Sequence, residues 1–358
     1  MSVVLPSIAS SKEEAAPVRT LVVDDSVVVR TVIERILNTD PGFTVTHKTN
    51  SAEHALNYLS AHEVDLVLLD IELPGQSGIA ALPAILRANP RTKVVILSGN
   101  CRAGSAPAIE ALALGASDIF AKPGSGSFGE QFPHTLIERL SRLFTSGQAV
   151  ANPPPLRVEA EPAAEPLACL GIGASTGGIH ALGQLFAGMR EPLGVPILLT
   201  QHLPASFTQY FAEQLTRMTS LRVKVAEHGE RVVPDTVYVA PGNANLQVRA
   251  GLHGRVNIVL DPARTPAGNL PGVDPMFSSM AQAYGAGAAG IVLTGMGRDG
   301  TVGARDVVAA HGWIVAQDEA SSVVWGMPGS VAGEGLSCAL LEPYAIMDFV
   351  AHRGKIKG

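Results

Sequence analysis

Short apolar runs alternate along this chain with stretches of helical periodicity. Thr20-Leu-Val-Val-Asp24-Asp25 is a β-branched run ending on two acids, the pattern of a buried parallel strand whose carboxyl end meets a site. Ser26 then reads as an N-cap, and Val29, Val32, Ile33, Ile36 and Leu37 recur at helical spacing behind it. The alternation continues through Asp65-Leu-Val-Leu-Leu-Asp70, Val94-Val-Ile-Leu-Ser98 and Ser117-Asp-Ile-Phe-Ala-Lys122-Pro123, with amphipathic stretches between them. Strand and helix in turn predict a doubly wound parallel sheet.

The texture changes from Thr145 to Pro166, where Pro153-Pro-Pro155 and the Glu/Ala/Pro-rich segment 159–166 lack any period, as in a semi-extended linker. A second α/β alternation follows: Cys169-Leu-Gly-Ile-Gly173, Pro196-Ile-Leu-Leu-Thr-Gln-His202, strands near Val237 and at Val256-Asn-Ile-Val-Leu260, and Gly290-Ile-Val-Leu-Thr294. The expected organisation is a disordered segment over 1–17, an α/β domain over 18–145, a linker over 146–166 and a second α/β domain over 167–352. Its sheet is mostly parallel and Rossmann-like. No short fixed period recurs, which excludes solenoids and propellers.

Length and composition agree with two buried cores: 358 residues, of which 46% are hydrophobic and 16% charged. A net charge of −6 with no dense Lys/Arg run argues against nucleic acid as a partner. Cys101, Cys169 and Cys338 are odd in number and far apart, which suits neither a metal-binding CxxC pair nor a disulfide framework. Residues 1–17 lack the positive region of a signal peptide. Every long apolar tract meets Gly or charge before the roughly 20 residues of a membrane helix, so the expected location is the cytoplasm, without direct membrane insertion.

Candidate chemistry lies at the strand ends. Carboxyl ends of parallel strands converge on one crevice, so Asp24, Asp25 and Asp70 are expected together. Three clustered carboxylates call for a divalent cation, and Mg²⁺ accepts one or two carboxylates, carbonyls, water and a phosphate oxygen. The implied chemistry is phosphoryl transfer, with Lys122 as the cation and Ser98 as the hydroxyl that meet the transferring group. Singly, an Asp-Asp pair reads as turn acids and Lys-Pro as a solvated loop; it is their conjunction and order that mark a site.

In the second half, Gly171-Ile-Gly-Ala-Ser175-Thr-Gly-Gly178 passes from an apolar run into a helical pattern, and Gly173, Ser175 and Gly177 spell GxSxG. That predicts a strained strand-to-helix turn exposing the Ser175 hydroxyl, with backbone N–H groups at the helix start to hold an oxyanion. A serine needs a base and an orienting acid. His202 and Asp299, each after a later apolar strand, are the candidates. Taken alone, His202 reads as structural, as do His180, His228 and His253, and Asp299 reads as a helix cap. A nucleotide-binding loop is disfavoured, because no full GxGxxG follows a strand and no Walker lysine is present.

On Val22-Val-Asp-Asp-Ser-Val27, Leu69-Asp70-Ile-Glu-Leu-Pro74 with Gly78, Leu114-Gly-Ala-Ser-Asp118 and Lys122-Pro123, the first domain resembles the flavodoxin-like receiver domain of response regulators. The resemblance implies that a histidine kinase phosphorylates Asp70. It also implies that Mg²⁺ is held by Asp25 directly, by Asp24 mainly through water and by the Glu72 carbonyl, and that Ser98 and Lys122 sense the phosphoryl group. The loop Gly99-Asn-Cys-Arg-Ala-Gly104 departs from the hydroxyl-rich run expected there, and Gln76-Ser77 stands where Met-Asp is usual.

On Ile172-Gly-Ala-Ser-Thr-Gly-Gly178, Gln201-His202, Val239-Ala-Pro-Gly242, Gly295-Met-Gly-Arg-Asp-Gly300 and Gln317-Asp318 to Gly326-Met-Pro328, residues 167 to about 350 resemble the catalytic domain of the CheB family of protein-glutamate methylesterases. The resemblance implies Ser175 as nucleophile, His202 as base then acid, Asp299 as orienting acid, and backbone amides near Thr176 and Met296 as oxyanion donors. It implies no cofactor in this domain, chemoreceptor glutamate methyl esters as substrate with methanol released, and deamidation of receptor glutamines. Asn245 stands where a His before Leu is usual, and the loop from Thr265 to Asp274 lacks the basic residues expected. Both departures are expected to bear on recognition. The competing reading is a non-enzymatic response regulator whose C-terminal domain only binds a signalling partner.

Overall fold

The structure is a computed structural model and describes residues 16–99, 106–122, 132–144, 165–266 and 268–354. Most of the segment expected over 1–17, most of the linker over 146–166, Pro123 and residues 100–104 after Ser98 lie outside the described residues.

The first unit runs β1 (Val18–Val23), α1 (Val27–Leu37), β2 (Phe43–Thr49), α2 (Ala52–Leu59), β3 (Leu66–Asp70), α3 (Gly78–Ala88), β4 (Lys93–Ser98), α4 (Ala106–Ala113), β5 (Asp118–Ala121) and α5 (Phe132–Phe144). Its five strands are all parallel, in the order β2-β1-β3-β4-β5. Every residue of β3 is buried because helices cover both faces. Leu21, Val23, Val67 and Leu69 face α2 to α4, and Val22, Leu66 and Leu68 face α1 and α5, as the two-residue period of a strand requires. Ser26 caps α1 by accepting from the Val29 N–H at 3.3 Å. The chain turns outward between β1 and β3, so the ends of those strands frame the crevice.

The second unit runs β6 (Cys169–Ala174), α6 (Gly178–Ala187), β7 (Ile197–Gln201), α7 (Ala205–Met218), β8 (Arg222–Val225), β9 (Thr236–Val239), β10 (Asn245–Ala250), β11 (Val256–Asp261), α8 (Val273–Tyr284), β12 (Ala288–Val292), α9 (Thr301–Ala309), β13 (Trp313–Gln317), α10 (Met327–Gly333), β14 (Ser337–Leu341) and α11 (Pro343–Arg353). Seven parallel strands form its sheet in the order β14-β13-β12-β6-β7-β9-β8. The run at Val256 is not part of that sheet: β10 and β11 make a separate antiparallel hairpin that packs on α8. β6 is central, with β7 on one side and β12 on the other, so the ends of these three strands meet at the switch point.

The glycines of the Gly-Ile-Gly run serve packing. A Cβ on Gly171 would lie 2.6 Å from Met280 Sδ, and one on Gly173 would lie 2.5 Å from Val273 Cγ1, both on α8. α8 therefore presses directly onto the strand that carries the serine.

The two units touch. α4 packs on α6 and α7, the His180 Nδ1 donates to the Ala113 carbonyl at 3.0 Å, and Lys93 Nζ donates to the Val323 carbonyl at 2.9 Å. His180 thus ties the units together, and His228 accepts the Leu260 N–H at 3.1 Å, so both are structural as expected.

Candidate active site

Ser175 follows β6, His202 follows β7, and Asp299 lies in the loop between β12 and α9. All three line one cavity of about 1360 Å³, together with Thr176 and Met296. Leu112, Ser117, Asp118, Arg139 and Arg142 of the first unit line it as well, so one unit forms part of the wall of the other's cleft.

The turn at the serine does not rest on a left-handed Ser175. Among the described residues, the non-glycine residues with positive φ are Asp235, His253 and His311. Gly177, at φ +75°, takes the left-handed step of the turn instead, and a Cβ there would lie 2.5 Å from Val323 Cγ2. The turn is held by hydrogen bonds. Ser175 N–H donates to the Thr294 carbonyl at 3.0 Å, and the Ser175 carbonyl accepts from Gly178 N–H and Gln201 Nε2, both at 2.8 Å. Gly295 makes room for the serine, since a Cβ on it would stand 2.6 Å from Ser175 Cβ.

His202 Nε2 pairs with Asp299 Oδ2 at 2.7 Å. With that nitrogen carrying the proton, the lone pair falls on Nδ1. Asp299 is almost wholly buried and accepts three further hydrogen bonds, from the amides of Val273 at 2.8 Å, Asp274 at 3.0 Å and Gly300 at 3.0 Å. Two of these amides open α8, so the acid caps a helix from another part of the chain. Burial opposes ionisation of Asp299, but the His202 bond and charge and the α8 amides outweigh it and hold the carboxyl below the usual carboxylate range. Both readings of Asp299, cap and partner of the histidine, therefore hold at once.

Sequence reasoning missed three polar contributors. Gln201 ties the residue before the histidine to the serine turn. Thr294 Oγ1 donates to the Thr176 carbonyl at 3.0 Å, and its own N–H donates to Gln317 Oε1 at 2.8 Å. Asp274, on the cavity wall, accepts the Gly303 N–H at 2.9 Å. Burial, with Asp299 beside it, pushes the Asp274 carboxyl up to about 6.

A carboxyl whose folded value lies above its unfolded value makes the fold lose stability as pH rises through that window. Asp274→Asn is therefore expected to raise the melting temperature at pH 8 by about 2–4 °C, the change given by about 1 kcal/mol in a domain of this size, with no gain at about pH 3, below both the folded and the unfolded values. Thermal unfolding of both proteins at the two pH values checks this, and an equal shift at both would remove the titration as its cause.

In the first unit, Asp24, Asp25 and Asp70 place carboxylate oxygens within 4.8 Å of one another, a spacing that suits a hard divalent cation. Asp24 and Asp70 are buried, and Asp25 is exposed. Lys122 Nζ bridges Asp24 at 2.7 Å and Asp70 at 2.6 Å. Burial raises the Asp70 carboxyl, with Asp24 adding to it, against the opposing pull of Lys122. Burial also works against the charge on Lys122, but its bonds to Asp24 and Asp70 outweigh it and raise the ammonium. The Glu72 N–H donates to Asp70 Oδ1 at 3.2 Å, and Ser98 is buried at the end of β4. Gly78 lets α3 begin against the strand, since a Cβ there would be 1.9 Å from the Asp70 carbonyl oxygen.

Residues 170–350 match the family model of the CheB methylesterase, and residues 20–127 match that of the response regulator receiver domain. The chain is 38% identical over 347 residues to protein-glutamate methylesterase/protein-glutamine glutaminase 2 of Caulobacter vibrioides, covering 94% of this chain and 99% of that protein. It is also 38% identical over 376 residues to the protein-glutamate methylesterase/protein-glutamine glutaminase of Rhodopseudomonas palustris, covering 95% of each. Among solved structures, the Thermotoga maritima CheB methylesterase catalytic domain matches with a TM-score of 0.50 at 36% identity, covering 52% of this chain and 97% of that one.

Proposed function

This chain belongs to the CheB methylesterase family, with a receiver domain in the same polypeptide, and from that premise we propose that Ser175, His202 and Asp299 hydrolyse glutamate methyl esters on chemoreceptors. The carrying observation is the buried His202–Asp299 hydrogen bond at 2.7 Å, made at the strand end beside the one that presents Ser175. Ser175 Oγ attacks the ester carbonyl and passes its proton to His202 Nδ1, while ionised Asp299 stabilises the imidazolium. The amides of Thr176 and Met296 receive the oxyanion; neither donates to a protein acceptor among the described residues. His202 returns the proton to the departing methoxide, releasing methanol. Water, deprotonated by the same imidazole, then frees the glutamate carboxylate and the serine. With a glutamine side chain the leaving group is ammonia and the steps are unchanged, which accords with the glutaminase named in the relatives.

The receiver supplies control. A bound Mg²⁺, held by Asp24, Asp25 and the Glu72 carbonyl, would neutralise charge on a phosphoryl group passing from a histidine kinase to Asp70. Lys122, already bridging Asp24 and Asp70, would turn to the new phosphoryl oxygens, with Ser98 beside it. Receiver residues on the cavity wall support a shielded Ser175 before phosphorylation and a cleared one after it. We assign the receiver to 18–145 and the esterase to 167–352. We propose a cytoplasmic location; no helix among the described residues is long and apolar enough to cross a membrane.

Methanol release from methylated receptor membranes, with and without acetyl phosphate, tests both parts. Release is expected to rise with the phosphodonor in the unaltered chain and to stay at the unstimulated rate in Asp70→Asn. No release above a protein-free blank would reject the esterase, and an undiminished response in Asp70→Asn would reject Asp70 as the switch.

A further inference from the structure

The entry to α8 is fastened by a buried side chain with no part in the acyl transfer above. Asn245 opens β10, and its Nδ2 donates to the Ala263 carbonyl at 2.6 Å while its Oδ1 accepts the Gly272 N–H at 2.7 Å. One carboxamide thus closes both ends of the loop between β11 and α8. Gly272 is the N-cap of α8, and the next two amides, of Val273 and Asp274, are those that grip Asp299. The loop is tight there: a Cβ on Gly272 would lie 2.4 Å from Thr265 Cγ2. Asn245 is not among the residues lining the cavity, so its departure from the usual histidine does not bear on recognition by direct contact.

We propose that Asn245 is a positioning residue of the hydrolase, setting where α8 presents its first amides to Asp299 and, through Asp299, how His202 faces Ser175. The argument rests on the proposed triad. It follows from the chain of hydrogen bonds from Asn245 to Gly272, from α8 to Asp299, and from Asp299 to His202, each 2.7–3.0 Å long. A carboxamide offers one donor arm and one acceptor at a fixed separation, and both are engaged by backbone. A neutral imidazole also offers one donor and one acceptor, whereas a carboxylate offers acceptors only.

The test compares Asn245→Ala, Asn245→Asp and Asn245→His in the full chain, with rates expressed per active site titrated by a fluorophosphonate. The alanine and aspartate variants are expected to lose roughly 10- to 100-fold in kcat with KM within about twofold, the cost of misplacing a catalytic group by a fraction of an ångström to an ångström. Histidine is expected to restore kcat to within about threefold. Normal kcat per titrated site in the aspartate variant, or a loss confined to KM or to the titratable fraction, overturns the proposal. If the alanine variant does not fold, the aspartate and histidine variants decide alone. Hydrolysis retained in Ser175→Ala would instead sink the triad, so the two failures are separable.

Discussion

Ser175→Ala is expected to abolish ester hydrolysis, a loss of about 10⁴- to 10⁶-fold in kcat, while Asp70 still accepts a phosphoryl group. The substitution removes Oγ and little else. The Ser175 N–H to Thr294, the Ser175 carbonyl's bonds to Gly178 and Gln201, and the His202–Asp299 pair all survive, because they use backbone or other side chains. The turn therefore keeps its shape, and the residual rate reports what the oxyanion donors and His202 achieve with water as nucleophile. Methanol release and phosphorylation by acetyl phosphate, measured on the same preparation, check the two halves separately. Hydrolysis within tenfold of the unaltered chain would reject Ser175 as nucleophile.

Asp299→Asn should cost about 10⁴-fold in kcat, through the tautomer of His202. A carboxylate on Nε2 holds the proton there and leaves Nδ1 free to take one from Ser175. An amide nitrogen turned toward Nε2 reverses this and puts the proton on Nδ1, where no base remains. The other rotamer keeps an acceptor for His202 but loses the charge that stabilises the imidazolium. It also turns a donor toward an α8 amide or the Gly300 amide. Because Asp299 is held below the usual carboxylate range, it is ionised at neutral pH, where the charge on the imidazolium partner is needed. Kinetics at saturating substrate, with a melting curve to confirm folding, measure the loss. A reduction below tenfold would remove Asp299 from the role given to it.

The regulatory half depends on a geometry the sequence suggested only in outline. Acids at the ends of β1 and β3 converge as parallel strand ends must. The doubly bridged Lys122 and the receiver residues on the esterase cavity wall emerge only from the assembled molecule.

Local pattern made most of the two sheets readable. β3, β4, β6 and β7 are almost entirely buried and so are continuous apolar runs. The edge strand β8 and the mostly exposed β2 carry no such run, so the pattern predicts no strand there. The antiparallel pairing of β10 with β11 also escaped, since an apolar run marks burial and does not name its partner.

The sequence by itself determined the fold class, most of the buried strands and which polar residues end them, because burial and periodicity act over a few neighbouring residues. Tertiary structure alone decided that Asp299 caps α8, that Asp299 pairs with His202 Nε2, that Gly177 takes the left-handed step of the turn, that Asp274 lies on the cavity wall, and that Asn245 fastens the entry to α8. Those facts depend on hydrogen bonds between groups tens of residues apart. Their distances are set by how α8 packs on β6, a property no local window of residues contains.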